Sequence, residues 1–283
     1  MHTTPKVERR ALLTGAAIAA VASAVRAQTQ PQPPPAAPAA TRLDDAPLAP
    51  ATTVTVERRG EIVLIGLNRP AIQNRVDPPT RARLGDVFYR YEHDPSLRAA
   101  VLFGHGEQFT RGIDVDAFQA ALAAGRRPAG PETIHELYLA GDIRVAAANT
   151  RFGQDENTHG RFPGGGATVR FVREAGWGNA MRYMLTGDHW TAEESLRMGI
   201  TQQIAPTPEA ALDAGIAMAG KIAACAPLSI KATLASAHQV IDPVEADALS
   251  KLDSAYSTLY RTEDFIEGRR AEAEGRPPKY HGR

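Results

Sequence analysis

The chain has little cysteine and no excess of either charge, and both features limit its function. Cys225 is the only cysteine among 283 residues, which excludes an intrachain disulfide and any zinc site built from several thiolates. We expect this cysteine to be a small core residue. Basic and acidic side chains number 32 each, so no net field draws the protein to nucleic acid or to an anionic membrane.

Several common catalytic motifs are missing as well. His135 and Glu136 begin like a zinc-protease motif, but Leu139 stands where the second histidine is needed. The glycines at 164–166 lack the Lys-Ser/Thr of a P-loop and the spacing of a dinucleotide fingerprint, and no Gly-x-Ser-x-Gly elbow occurs. The sequence therefore predicts no metal site, no P-loop and no serine hydrolase.

The N-terminus has no apolar run long enough for a membrane span. The run after Arg9 and Arg10 has about fifteen residues, whereas a spanning helix needs roughly 20. Residues 1–27 therefore predict a cleavable twin-arginine-type signal peptide, a periplasmic protein and no stable membrane insertion after cleavage. A misplaced start codon, which implies a cytoplasmic protein, and an uncleaved anchor are the alternatives. Residues 28–50 are rich in proline and alanine and predict a linker.

The chain from Ala51 onward predicts one α/β domain. Residues 54–57 and 62–65 are typical of two hairpin strands around a glycine turn. Between 78 and 91, apolar residues recur at helical spacing behind two prolines. Residues 99–103 form a continuous apolar run, which predicts a strand buried on both faces. Strand, helix and strand in this order indicate an α/β layer.

The second half of the chain continues this pattern and then becomes helical. Residues 143–146 predict a strand and 167–174 a helix, and Thr191 with Glu194 has capping-box spacing for another helix. After Pro208 nearly all of the pattern is helical. We therefore divide the folded part into a core, 51–205, and a helical C-terminal region, 206–283.

Three places carry residues suited to chemistry. The turn of Arg111 and Gly112 follows a buried strand, where backbone amides emerge and can hold an oxyanion, although a plain turn explains it equally well. Glu136 begins a short apolar segment, where helix amides favour a carboxylate. The glycine-dense passage 151–166 contains Glu156 and has the composition of a loop that lines a site.

The order and wording of these segments together resemble the crotonase (enoyl-CoA hydratase/isomerase) family from about Thr53 to the C-terminus. The resemblance rests on the following segments: Asn68-Arg69-Pro70, 100–109 with Gly112 and Asp114, Glu136-Leu137, 152–156, Gly160, 163–166, Arg170, Leu185-Thr186-Gly187 and Gly199-Ile200.

This resemblance implies a fold and a reaction. The fold is a crotonase-like spiral of ββα units, with a helical C-terminal region that builds a homotrimer or a dimer of trimers. The substrate is an acyl-CoA thioester, and coenzyme A belongs to the substrate, so no further cofactor is expected. In hydratase members two glutamates move protons, and by analogy Glu136 activates water while Glu156 protonates the α-carbon.

The resemblance also locates the oxyanion hole, and there the chain departs from the family. The first amide matches Arg111, beside Gly112, and Gly165 falls among the substrate-binding glycines. The second amide belongs to a glycine in the family, whereas Thr133 stands here. Only 22 positions (136 − 114) separate Asp114 from Glu136, fewer than the family uses, as though a strand and a loop had been excised.

Three hypotheses follow from this combination. The first is hydration of a 2-enoyl-CoA by the two glutamates. The second is a binding or assembly protein that keeps the fold but has impaired catalysis, because the second oxyanion segment is missing. The third is an enoyl-CoA isomerase or another thioester chemistry on the same scaffold.

Overall fold

A computed structural model of the chain describes residues 52–125, 137–250, 258–281 and 283. The predicted signal peptide and linker lie outside these residues and stay predictions. The strands are β1 Val54–Arg59, β2 Ile62–Leu67, β3 Ala99–Gly104, β4 Val145–Ala147, β5 Arg151–Phe152, β6 Trp190–Thr191 and β7 Gln203–Ala205. The α-helices are α1 Pro78–His93, α2 Val115–Ala123, α3 Ala167–Ala175, α4 Trp177–Thr186, α5 Ala192–Arg197, α6 Pro208–Ala223, α7 Pro227–Ser250 and α8 Glu263–Glu274.

The first sheet has the order β1-β2-β3 and contains both kinds of pairing. β1 and β2 form the predicted antiparallel hairpin, in which Val54 faces Leu67, and Gly60 in the turn has a φ of 65°. β3 pairs parallel to β2, with Ala99 opposite Ile62, so α1 is the crossover that a parallel pair requires. The predicted strand-helix-strand unit is thus confirmed.

β2 is buried more completely than β3. All six residues of β2 are buried, whereas in β3 only Ala99 is buried. The prediction for residues 99–103 holds in part, because side chains of β3 pack on the cores at both faces of the sheet but are only half-buried at the sheet edge among the described strands. The odd-numbered side chains of β2, Val63, Ile65 and Leu67, pack with Leu84 and Val87 of α1, and the even-numbered Ile62 and Leu64 pack with Ile216 and Ala219 of α6.

A second core lies in the later part of the chain and is organised by aromatic rings. Trp190 stacks on Phe152 with ring centroids 5.7 Å apart and on Phe171 at 5.2 Å. Such offset stacks stabilise a core beyond the area that they bury. The predicted capping of α5 is confirmed, because Thr191 Oγ1 accepts a hydrogen bond from the Glu194 amide at 3.2 Å.

The C-terminal region is helical as predicted, with α6, α7 and α8. Cys225 is exposed at the end of α6, where its thiol lies beside the Lys221 carbonyl, so the expectation of a core cysteine was wrong. Leu228 and Val240 of α7 are 80% and 82% exposed. Within the described ranges no single helix meets the length and hydropathy of a membrane span, and α6 with the start of α7 meets them only as a pair bent by 105°.

Candidate active site

Glu156 opens a single 3-10 turn, Glu156–His159, between β5 and α3. The turn is fixed by hydrogen bonds from two distant parts of the chain. The Asn157 side chain donates to the Met184 carbonyl at 2.6 Å, and the Tyr280 hydroxyl donates to the Thr158 carbonyl at 2.8 Å. The position of Glu156 therefore depends on α4 and on the C-terminal tail, not on the local sequence alone.

Two glycines let α8 approach this turn closely. A β-carbon on Gly160 would lie 2.6 Å from the Asp264 carbonyl oxygen, and one on Gly268 would overlap the His159 carbonyl. Real β-carbons do not come so near to backbone oxygen atoms, so only glycine permits this contact. Gly160 also has a φ of 64°, which ends the turn at low conformational cost. The backbone of α8 consequently forms the support beneath Glu156.

The Glu156 carboxyl is buried and incompletely bonded. Its Oε2 atom is inaccessible to solvent and has no hydrogen-bond partner among the described residues. Burial raises the pKa of Glu156 above its ordinary value, and the hydrogen bond from its own backbone N–H opposes this effect. The nearby Asp155 adds to the rise in pKa, whereas the Arg161 guanidinium lowers it. A carboxyl with a raised pKa and a free oxygen is suited to deliver a proton to a substrate.

The second element of the site is the turn after β3. Arg111 is exposed, and its backbone N–H donates to the Gln73 carbonyl at 2.9 Å. Gly112 has a φ of 83°, and its N–H donates to Thr110 Oγ1 at 3.1 Å. Thr110 Oγ1 in turn donates to the Asn74 carbonyl at 2.8 Å. Both amides of the predicted oxyanion turn are thus engaged within the protein.

The loop that supplies this carbonyl is held by Asn74, a residue that the sequence analysis did not single out. Asn74 is 1% exposed, and its amide donates to the carbonyls of His105 and Gln108 at 2.9 and 2.7 Å. Gln73 and Asn74 both have positive φ, 58° and 53°, which is uncommon outside glycine. Asparagine tolerates this region better than most residues, and its place in a turn after Asn68-Arg69-Pro70 was the available signal.

The described part of the structure does not test the roles of the remaining predicted site residues. Glu136 and Thr133 lie outside the described residues, so their predicted roles stay predictions. Gly165 is exposed in the turn before α3, and its role likewise stays a prediction. In the described ranges, no group of three or more His, Cys, Asp or Glu side chains is arranged to hold a metal ion.

Comparison with known proteins shows which family this chain resembles. The family model for enoyl-CoA hydratase/isomerase matches residues 57–131 and 129–283. Enoyl-CoA hydratase EchA19 of Mycobacterium tuberculosis is 31% identical over 257 residues, covering 81% of this chain and 96% of that protein. The (E)-benzylidenesuccinyl-CoA hydratase of Thauera aromatica is 32% identical, covering 81% and 99%. The crystal structure of carnitinyl-CoA hydratase from Mycobacterium avium has a TM-score of 0.74 at 27% identity, covering 82% and 99%.

The family match also breaks at an informative place. Its two segments meet at residues 129–131, which lie between Asp114 and Glu136, in the stretch that the sequence analysis expects to be shorter than in the family. The match as a whole spans far more than half of the chain, and the solved structures share its fold. The predicted crotonase-type fold is therefore confirmed, and the chain belongs to the enoyl-CoA hydratase/isomerase family.

Proposed function

We propose that this protein hydrates a 2-enoyl-CoA thioester. The observation that carries the proposal is the Glu156 carboxyl, at the position where the family has a catalytic glutamate. Its Oε2 atom is inaccessible to solvent and has no partner among the described residues, and its pKa is raised. Adding water across a conjugated double bond requires a base on the water and an acid at the α-carbon. Glu156 supplies the acid, and Glu136 is the proposed base.

The raised pKa has a direct chemical use. A carboxyl with an ordinary pKa is almost fully ionised at neutral pH and is a poor proton donor. Burial raises the pKa and favours the neutral form, which is the form that can protonate the α-carbon, while the hydrogen bond from its own backbone N–H and the Arg161 guanidinium oppose this shift. The environment of Glu156 thus suits a carboxyl that alternates between its protonated and its ionised form.

The thioester oxygen gains negative charge during this reaction and needs hydrogen-bond donors. The Arg111 amide is the proposed first donor, but it now donates to the Gln73 carbonyl at 2.9 Å. Substrate must therefore share or displace this hydrogen bond. Thr133 is the proposed second donor.

The engaged amide favours a second candidate function, namely a family member that binds acyl-CoA without turnover. Removal of one oxyanion donor typically costs about 10²–10³ in rate. A protein whose amide stays on Gln73 and whose second segment is shortened has lost much of its ability to stabilise the enolate. Such a protein keeps the substrate-binding fold but not the reaction.

The assembly and location of the protein are further parts of the proposal. We propose a homotrimer or a dimer of trimers, supported by the exposed apolar residues of α7, among them Leu228, Val240 and Val244. The sequence supports export to the periplasm through the signal at 1–27, with a cytoplasmic protein as the alternative. Sedimentation of the purified protein and fractionation of cells test these two points.

One assay separates the two candidate functions. Purified mature protein is incubated with crotonyl-CoA, and loss of the conjugated thioester absorbance is followed for wild type, Glu136→Gln and Glu156→Gln. Glu92→Gln, which changes an exposed glutamate at the end of α1, is the matched control. Turnover by wild type and the control, with loss in both site variants, supports the hydratase. Binding of crotonyl-CoA with no turnover by any form supports the second candidate.

A further inference from the structure

An open cavity of about 540 Å³ lies beside the two turns of the site. It is lined on one side by the 71–75 loop and the start of α2, and on the other by Arg161 and by Arg269 and Glu272 of α8. A cavity of this size is suitable for a small acyl group. Its wall carries three arginines, which are balanced by the carboxylates of Asp114, Asp116 and Glu272. Such a polar lining is unusual for a pocket that receives a plain hydrocarbon chain.

Arg161 connects this cavity to the proposed proton donor. Its backbone N–H donates to the Glu156 carbonyl at 2.8 Å, so the two residues are held in one backbone unit. Its side chain is only 13% exposed, and its guanidinium lies close enough to lower the pKa of Glu156. Arg161 therefore borders both the cavity and the residue that the proposed function places beside the substrate α-carbon.

The guanidinium of Arg161 has unused hydrogen-bond donors. Its Nε atom is buried without a partner among the described residues, and Glu272 Oε1 lies 4.0 Å from Nη2, too far for a hydrogen bond. Arg269 differs, because it pairs with Asp116 as well as with Glu272. Since Nε itself is inaccessible, a ligand reaches the part of Arg161 that lines the cavity, where Glu272 is too far away to form a hydrogen bond. An acceptor there stabilises a guanidinium that is otherwise poorly paired.

We infer that Arg161 determines specificity by binding a carboxylate carried on the acyl group of the substrate. This inference rests on the proposed function, because it places the acyl chain by the role of Glu156. A guanidinium and a carboxylate match in charge and in bidentate geometry. The phosphates of coenzyme A do not fit this position, since the pantetheine arm separates them from the thioester. The preferred substrate class is therefore the CoA monothioester of an unsaturated dicarboxylic acid.

The first test measures binding and does not depend on turnover. Glutaryl-CoA and pentanoyl-CoA have five-carbon saturated acyl groups, cannot be hydrated, and differ only in a terminal carboxylate or methyl group. Wild type is expected to bind glutaryl-CoA about 10- to 100-fold more tightly, the range for a hydrogen bond to a charged group. Because the formal net charge of the protein is zero, a general attraction for anions does not produce this preference.

Variants assign the preference to Arg161. Arg161→Leu is expected to abolish it and Arg161→Lys to retain part of it, whereas Arg151→Leu, at an exposed site on β5, leaves it unchanged. Arg75→Leu is the second comparison, since Arg75 lines the same cavity. The inference is overturned if wild type binds both thioesters equally, if Arg161→Leu weakens both to the same extent, or if Arg75→Leu alone removes the preference.

Turnover distinguishes this inference from the proposed function. Hydration of glutaconyl-CoA is compared with hydration of 2-pentenoyl-CoA, again a pair that differs only in the terminal carboxylate. A higher kcat/KM for glutaconyl-CoA that Arg161→Leu lowers selectively supports both. If neither thioester is hydrated but glutaryl-CoA still binds preferentially through Arg161, the inference stands and the hydratase proposal fails. Equal hydration of both thioesters by wild type overturns the inference and leaves the proposal intact.

Discussion

The two turns of the site differ in what they leave unsatisfied. The Glu156 turn is held by α4, α8 and the C-terminal tail, and its carboxyl keeps an oxygen without a partner among the described residues. The Arg111 turn is also held by a distant loop, but there the amides themselves are engaged, by the Gln73 carbonyl and by Thr110 Oγ1. The comparison shows that a scaffold can fix the backbone around a functional group and either occupy that group or leave it unsatisfied.

The largest expected effect concerns the Glu156 turn. Glu156→Gln keeps the shape of the side chain but removes its acidic proton, so kcat with an enoyl-CoA should fall about 10²- to 10⁴-fold, the usual contribution of a general acid. Stopped-flow or steady-state absorbance measures it, with Glu92→Gln as control. Full activity in Glu156→Gln would show that the unpartnered oxygen has no role in catalysis.

The next effect concerns the support under that turn. Gly268→Ala places a methyl group against the His159 carbonyl, so α8 and the Glu156 turn must separate. We expect the free energy of unfolding to fall by about 1–3 kcal/mol and kcat to fall with it. Thermal melting and the hydration assay report the two changes.

Gly220→Ala is the matched control for this substitution. Gly220 also lies in a helix, but a β-carbon there meets no atom within 4 Å. Alanine at this position should stabilise the protein by up to about 1 kcal/mol through its higher helix propensity. If Gly268→Ala is equally harmless, then α8 does not fix Glu156.

A substitution in the Arg111 turn has a smaller expected effect. Thr110→Val removes the hydroxyl that bonds the Asn74 carbonyl and the Gly112 amide, which should lower the free energy of unfolding by about 1 kcal/mol. If the Arg111 amide is an oxyanion donor, loosening its turn should also lower kcat, by less than the roughly 10²-fold cost of losing a donor. An unchanged kcat in a destabilised protein would indicate that the amide stays on Gln73. Thr52→Val is the control for loss of one hydrogen-bonded hydroxyl outside the site, because Thr52 lies just before β1 and its Oγ1 donates to the Val54 carbonyl at 2.8 Å.

The smallest effect is the pH dependence of stability. Because burial raises the pKa of Glu156 in the folded state, the unfolded state loses its proton at lower pH, and folding becomes less favourable as pH rises above the unfolded pKa. Glu156→Gln lacks this proton equilibrium. The melting temperature of this variant should exceed that of wild type at neutral pH. The difference should vanish at acidic pH, where Glu156 of the wild type is protonated in both the folded and the unfolded state. A difference that grows on acidification would contradict the raised pKa.

Much of the fold was predictable from local pattern. The hairpin of β1 and β2 follows from alternation around Gly60, and the start of α5 from the spacing of Thr191 and Glu194. Strand order was less accessible. β2 and β3 are both short apolar runs, and only their pairing partners decide that the former is central. Periodicity contains no information about that choice.

The site shows the same limit. Glu156 was identified from the residues of its segment, 152–156. Burial raises its pKa, which is the property that a proton donor needs. The contact of Gln73 with Arg111 joins residues 38 positions apart (111 − 73) and has no sequence pattern, because any residue supplies a carbonyl. Gly268 was likewise indistinguishable from an ordinary helix glycine. Contacts made by backbone atoms cannot be predicted from the types of the side chains.

The contact between α8 and the Glu156 turn also affects the order in which the protein can fold during synthesis. Gly268 follows Glu156 by 112 positions (268 − 156), so a ribosome that adds about 5–20 residues per second completes the support roughly 6–22 s after it has made the glutamate. During that interval the β1-β2-β3 hairpin and crossover can already pair, since they precede the site in the chain. The first sheet can therefore pair early in synthesis, whereas the support of the Glu156 turn is completed near the end.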